Sequence, residues 1–178
     1  MVNCKKIREK VMDKNMNSVS YKVFHGMSNI GKNLKIGKFC IIEDDVIIGD
    51  DVEIGNYVYL KSGTIIGNNT FIDSYVRSSG DNKIGDNCNI RYGATIARNV
   101  RICNDVFISP NVMTVFNKDK GQTVIQQKAF VGTAAVIDGG CYIAHHVQIG
   151  AMSYVNKDCL VQEGLYFGQP AKYVGVRK

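Results

Sequence analysis

The chain is poor in the residues that metal centres and membranes require. It holds only 3 histidines, His25, His145 and His146, and none of its 6 cysteines forms a Cys-x-x-Cys pair. A structural zinc, which draws on closely spaced Cys and His ligands, is therefore not expected. No apolar run approaches the roughly 18 residues that cross a bilayer, and no leader carries a hydrophobic core. No membrane partner is expected and the protein reads as cytoplasmic. Aromatic-bearing RNA motifs and helix-turn-helix patterning are missing too, which argues against nucleic acid despite the formal net charge of +6. That charge sits at the ends, because residues 24–168 carry 13 Lys and Arg against 14 Asp and Glu. Basic ends on a neutral middle read as solvated tails.

What the chain does have is a period of six. Ile30, Ile36, Ile42, Ile48, Ile54, Leu60, Ile66 and Ile72 are followed by Ser78 as a single lapse, then by Ile84, Ile90, Ile96, Ile102 and Ile108. A second run holds Ile125, Val131, Ile137, Ile143, Ile149, Val155 and Val161. Six matches neither the helical 3.6 nor the strand period of two, so each hexad must turn a corner before the next inward residue arrives. Three hexads make one triangular coil, and the length suffices for about seven coils of about 18 residues. Four residues after each aliphatic stands something small, including Cys40, Cys88, Cys141 and Cys159, so large and small inward positions alternate and fill a narrow prism. Gly, Asn and Asp crowd the positions after the aliphatic, where tight corners need unusual dihedrals. The expected fold is all-β, one parallel coil over residues 24–166.

Three places break the period. Residues 1–23 read as a cap segment, whose stretch to about Asn17 suits a short amphipathic helix that covers the open first coil and its strand edges. The hexad from Ser78 to Lys83 lacks an inward aliphatic and reads as a small corner excursion. Between Ile108 and Ile125 the spacing is 17 instead of a multiple of six, so a loop must leave the coil at about 113–124. Residues 167–178 read as a tail.

These repeats resemble the hexapeptide-repeat family of left-handed parallel β-helices, most of whose members are acyltransferases working as trimers. Gly168, Gln169, Pro170, Ala171 and Lys172 resemble the family's closing G-x-P-A-K. Val155 to Asp158 resembles its V-x-K-D turn, and Ile149 to Met152 its I-G-A-G, with Met152 departing from the final Gly. The resemblance implies a homotrimer with sites between subunits and coenzyme A bound along the late coils, against Gly132, Thr133, Gly150, Ala151, Lys157 and Lys172. Lys172, Arg177 and Lys178 would then face phosphates of the coenzyme or of a sugar nucleotide. As plain coil residues, the same six also suit corners and surface.

Acyl transfer needs a proton acceptor beside the nucleophile and donors for the developing oxyanion. Several relatives place a catalytic His on the extruded loop; here that loop has none, and Asn117 is its candidate for holding substrate. His145 and His146 lie in a segment resembling the family's I-A-H-D, which makes His145 the candidate base, an imidazole suiting that task near neutral pH. His146 replaces the acidic orienting residue and could contact substrate. His25, in the first hexad, reads as structural. Other relatives use no protein base and let the leaving thiolate take the proton; for them Arg91 and Tyr92, expected one coil below the loop, would pair with a diphosphate and hold the amine. Both also suit a solvent-facing corner. The zinc-dependent γ-class carbonic anhydrases share this coil, but adjacent histidines and a remote third cannot make their site, so no metal is expected. The reading is an acetyl-coenzyme A dependent acyltransferase acting on a nucleotide-linked amino sugar. Sugar O-acetylation and a non-catalytic scaffold are the alternatives.

Overall fold

Up to Val155 each hexad resolves into a two- or three-residue strand and a corner. The computed structural model describes residues 23–24 and 29–176. The expected helical cap, together with Cys4, His25, Arg177 and Lys178, lies outside the described residues. Among those described, three sheets of eight, seven and nine strands form the faces of a triangular prism. They are parallel throughout except for a final antiparallel hairpin, and up to that hairpin every third strand in the chain joins the same face. The first face runs from Val23–Phe24 to Tyr154–Val155 and the second from Asn29–Ile30 to Tyr142–Ile143. The third starts at Lys35–Ile36 and closes with Gly164–Gly168 and Ala171–Val176. Eight strands on the first face set about eight coils, close to the arithmetic of the repeat.

Burial follows the hexad register. Ile42, Ile48, Leu60, Ile66, Ile72, Ile90, Ile96, Ile102, Ile108, Ile125, Ile137 and Ile143 are all fully buried, and each contributes about 1.5–3 kcal/mol by leaving water. The small positions interleave with them, so Val46, Val52, Ala94 and Ala135 have no accessible surface. Corners explain the Asn and Asp. On the corner between the second and third faces, Asn33, Asp51, Asn69, Asn87 and Asp105 take φ of 53–59°, a conformation these side chains tolerate better than others. One position earlier, the side-chain oxygens of Asp50, Asn68, Asp86 and Asn104 each accept the backbone N–H of the corresponding residue one coil before, at 2.6–3.0 Å. Each corner is thereby stapled to the next.

The corner between the third and first faces carries a different ladder. Phe39, Tyr57 and Tyr75 occupy the left-handed position at φ of 58–63°, which bulky side chains avoid. Their rings stack at 4.9 Å, offsetting that strain, and Tyr92 ends the pile with a tilted contact at 5.3 Å.

Four expectations change. Ser78 makes no excursion: it points inward and is buried, its hydroxyl 2.8 Å from that of Thr64 and accepting from Asn82 Nδ2 at 2.8 Å, while Asn82 Oδ1 accepts from Val100 N–H. A satisfied polar cluster replaces the missing aliphatic without breaking register. The extruded segment is also shorter than expected, because Met113–Thr114 and Thr123–Ile125 remain strands and only 115–122 departs. At the far end Val161 is 42% exposed. There the last coil contracts, so that Cys159 comes against Ile143 and Tyr166 takes the buried place opposite Ile149. The supposed tail continues the third face as an antiparallel hairpin, Phe167 opposite Lys172.

Burial pushes the thiols of Cys88 and Cys141 up to about 11 and that of Cys159 to about 12. All three are therefore protonated and inert in the folded chain. Iodoacetamide at mildly alkaline pH is expected to spare them until urea unfolds the protein, as mass spectrometry of the peptides would show; labelling of the folded chain would contradict their inward placement.

Candidate functional site

Function in a uniform coil must be carried by its edges and outward rows, and the candidate residues fall on three different edges. Arg91, Tyr92, Gly132, Thr133, Gly150 and Ala151 lie on the corner between the third and first faces. Asn117 and Lys157 belong to the corner between the first and second, where the loop departs, and His145 and His146 to the corner between the second and third. Arg91 and Tyr92 thus do not share the loop's corner as expected, because a full strand of the first face, Met113–Thr114, intervenes before the chain reaches the loop.

On the first of these edges the hairpin folds over the late corners. Gly168 N–H donates to Ser153 Oγ at 3.2 Å, and Gln169 Nε2 donates to the Met152 carbonyl at 2.7 Å. Gly150 lies directly under the Phe167 ring, where any side chain would collide with it, and a Cβ on Gly132 would come within 2.5 Å of Ala151 N. Both glycines are buried and act by permitting close approach; of the coenzyme candidates on this edge, Thr133, Ala151 and Lys172 present surface. Arg91 is already engaged, with its Nε 3.5 Å from Asp73 and its guanidinium 5.4 Å from the centre of the Phe71 ring. Tyr92 is 49% exposed.

On the second edge the loop is pinned down. Asn117 Oδ1 accepts from Asp119 N–H at 3.0 Å, and a Cβ on Gly139 would come within 2.6 Å of Asn117 N, which accounts for glycine beneath the loop. Lys120 Nζ meets Asp138 Oδ2 at 2.7 Å. Its hydrogen bond holds the Asp138 carboxyl below the usual carboxylate range, and Asp138 in turn holds the ammonium above the usual lysine value. The pair is fully formed across the neutral range. It weakens only as pH falls through the lowered Asp138 value or rises through the raised Lys120 value. Asp138→Asn is expected to speed tryptic cleavage after Lys118 at neutral pH; an unchanged cleavage rate would show that the pair does not hold the loop. Beside it a shallow hollow of about 380 Å³ is lined by Lys120, Gly139, Gly140, Cys141, Asn156, Lys157 and Asp158.

The third edge holds His145 in an open cleft of about 380 Å³ with Lys83, Arg101, Cys103, Asn104, Gln126 and Gln127. His145 is half-buried, and neither ring nitrogen has a hydrogen-bond partner among the described residues, so one nitrogen is free to take a proton. His146, the next residue, adopts φ of 59° and is exposed, donating its backbone N–H to the Gln127 carbonyl at 3.1 Å. The two histidines do not act as a pair. Lys83, Arg101 and the two glutamines were missed in the sequence. Their signal was there in the 18-residue spacing of Lys83 and Arg101, but on outward positions instead of inward ones.

Residues 27–62 and 63–98 match the family described as bacterial transferase hexapeptide (six repeats). That match covers less than half of the chain and rests on the same period of six. Three solved structures share the chain's left-handed parallel β-helix fold. An N-acyltransferase from Bacillus cereus, AntD, solved with dTDP and coenzyme A, is 20% identical over 85% of this chain and 84% of its own, with a TM-score of 0.63. The UDP-N-acetylglucosamine acyltransferase of Campylobacter jejuni is 19% identical over 86% of this chain and 72% of its own, at 0.68. That of Francisella novicida is 18% identical over 85% of this chain at 0.59, and this chain spans only 63% of its length. No curated protein matches the sequence.

Proposed function

We propose that this protein is an acyltransferase that moves an acetyl group from coenzyme A to the amine of a nucleotide-linked sugar, in the cytoplasm. The observation that carries it is the hairpin of the G-Q-P-A-K segment, folded onto the corner that presents Thr133 and Ala151 and bringing Lys172 to the same edge. Coenzyme A lies along that edge, its phosphates toward Lys172. The structural relatives with the fold include an N-acyltransferase holding dTDP and coenzyme A, which supports both the donor and the nucleotide of the acceptor.

His145 and the coenzyme edge are separated by a face of the prism, so one chain alone does not unite base and thioester. A neighbouring copy does, and the working unit is a homotrimer with a site in each groove, Asn117, Tyr92 and Lys157 reaching it from edges of either copy. In that groove the sugar amine attacks the thioester carbonyl carbon, a C–N bond forms and the C–S bond breaks. The departing thiolate leaves as coenzyme A, and the amine's proton passes to His145 or to that thiolate. A hydroxyl acceptor would lean harder on His145, because an alcohol is far harder to deprotonate.

Calorimetric titration with coenzyme A and acetyl-coenzyme A, with light scattering for the assembly, tests the reading. Binding at about one molecule per chain by a trimer, followed by turnover with a nucleotide amino sugar, is expected. A folded trimer that binds neither would be a scaffold.

A further inference from the structure

The outward row of the second face reads Ile47, Ile65, Lys83, Arg101, Val124, Tyr142, each residue directly opposite the next. Two cations therefore stand side by side in the ladder between uncharged neighbours. Like charges directly opposite one another destabilise a sheet. Four other bases of the prism meet a carboxylate, Lys35 with Glu53, Arg91 with Asp73, Arg98 with Asp81 and Lys120 with Asp138. Among the described residues Arg77, Lys128 and Lys157 stand singly, so what sets Lys83 and Arg101 apart is that two unpaired cations are adjacent. Among the described residues no carboxylate lies within ion-pair distance of Lys83 or Arg101. The nearest acids in sequence are engaged elsewhere, Asp81 with Arg98, Asp86 accepting from Asn68 N–H and Asp105 from Asn87 and Gln127.

The cleft beside these cations is lined by donors and has no carboxylate in its walls. Cys103 Sγ donates to Gln126 Oε1 at 3.4 Å, which occupies the amide oxygen and leaves the amide N–H groups to face a ligand. His145 closes the same cleft.

We propose that Lys83 and Arg101, with Gln126 beside them, form a binding site for a diphosphate group. The Arg101 guanidinium grips one phosphate with its fork and Lys83 neutralises the other as a point charge. This puts the reacting end of a diphosphate-linked molecule beside His145. The site itself stands on the unneutralised cations; only the identity of its occupant rests on the acyltransferase reading, which makes that occupant the sugar nucleotide.

The full-length protein is titrated with inorganic pyrophosphate, UDP and coenzyme A, alongside Arg101→Lys and the Lys83→Gln, Arg101→Gln double variant. Both side chains are exposed and repel one another, so the variants are expected to melt no lower than the parent. Pyrophosphate affinity should fall by about tenfold for each cation removed, and by less for Arg101→Lys. An unchanged affinity for coenzyme A in the double variant identifies the nucleotide of the acceptor as the source of the diphosphate. A parallel fall identifies the coenzyme instead, and both results support the site. Equal pyrophosphate binding by parent and double variant, or none by the parent, overturns it. A parent that binds pyrophosphate but not coenzyme A keeps the site and removes the acyltransferase reading, so the two fail separately.

Discussion

Ile96→Asp is expected to abolish the folded coil. Ile96 is fully buried on the first face, with Ser78 opposite it one coil before. Removing the side chain forfeits about 1.5–3 kcal/mol of burial. Enclosing a carboxylate with no cation in reach adds several kcal/mol more. The sum rivals the 5–15 kcal/mol that typically separates folded from unfolded domains. The neighbouring residue supplies the control. Thr95 points outward between Arg77 and Met113, because successive strand residues face opposite sides. Thr95→Asp places the same charge beside Arg77 and is expected to change stability by no more than about 0.5 kcal/mol. Circular dichroism melts of the pair decide the register: a normal melt for Ile96→Asp, or equal losses for both, would refute it.

The prism was legible because its inward rows repeat without ambiguity, and the five-residue excess before Ile125 showed as a break in the count. The departures from expectation have local causes. Ser78 reads as a gap in a list of aliphatics, yet its hydroxyl is satisfied by Thr64 and Asn82, partners that come near only once the coil is wound. Val161 keeps the count of six but is exposed, because a contracted last coil places Cys159 inside ahead of it and Tyr166 fills the next inward place. The resemblance implies groove lining for Gly132 and Gly150; the structure shows a stacked pair beneath Phe167. The candidate site was less legible than the fold for a geometric reason. Residue spacing assigns each side chain to an edge of the prism, but in the proposed trimer which edges meet depends on a second copy. Lys83 and Arg101 escaped notice because outward positions carry no periodic hydrophobic signal to mark them.

His145→Ala is expected to lower turnover by about 10²- to 10⁴-fold, the usual contribution of a positioned base, while leaving stability nearly unchanged. The second part follows from its surroundings: the ring is half-buried in an open cleft and has no hydrogen-bond partner among the described residues, so its loss strands no buried polar group. The first part depends on the acceptor. An amine that enters already neutral can pass its proton to the departing thiolate, and a rate undiminished in His145→Ala would mean that His145 has no part in the chemistry. A pH profile separates a base from a positioning residue. If His145 takes the proton, the rising limb of kcat on the acid side, set in the parent by an ionisation in the enzyme complex, disappears in the variant, and what remains follows the ionisation of the amine alone. If the ring only positions the sugar, KM rises, the limb stays and His145→Gln restores much of the rate, because an amide can replace a hydrogen bond but cannot replace a base. Adding the Lys83→Gln, Arg101→Gln pair to His145→Ala then asks whether the cleft works as one unit: residues that hold and deprotonate the same substrate should give losses that fail to add.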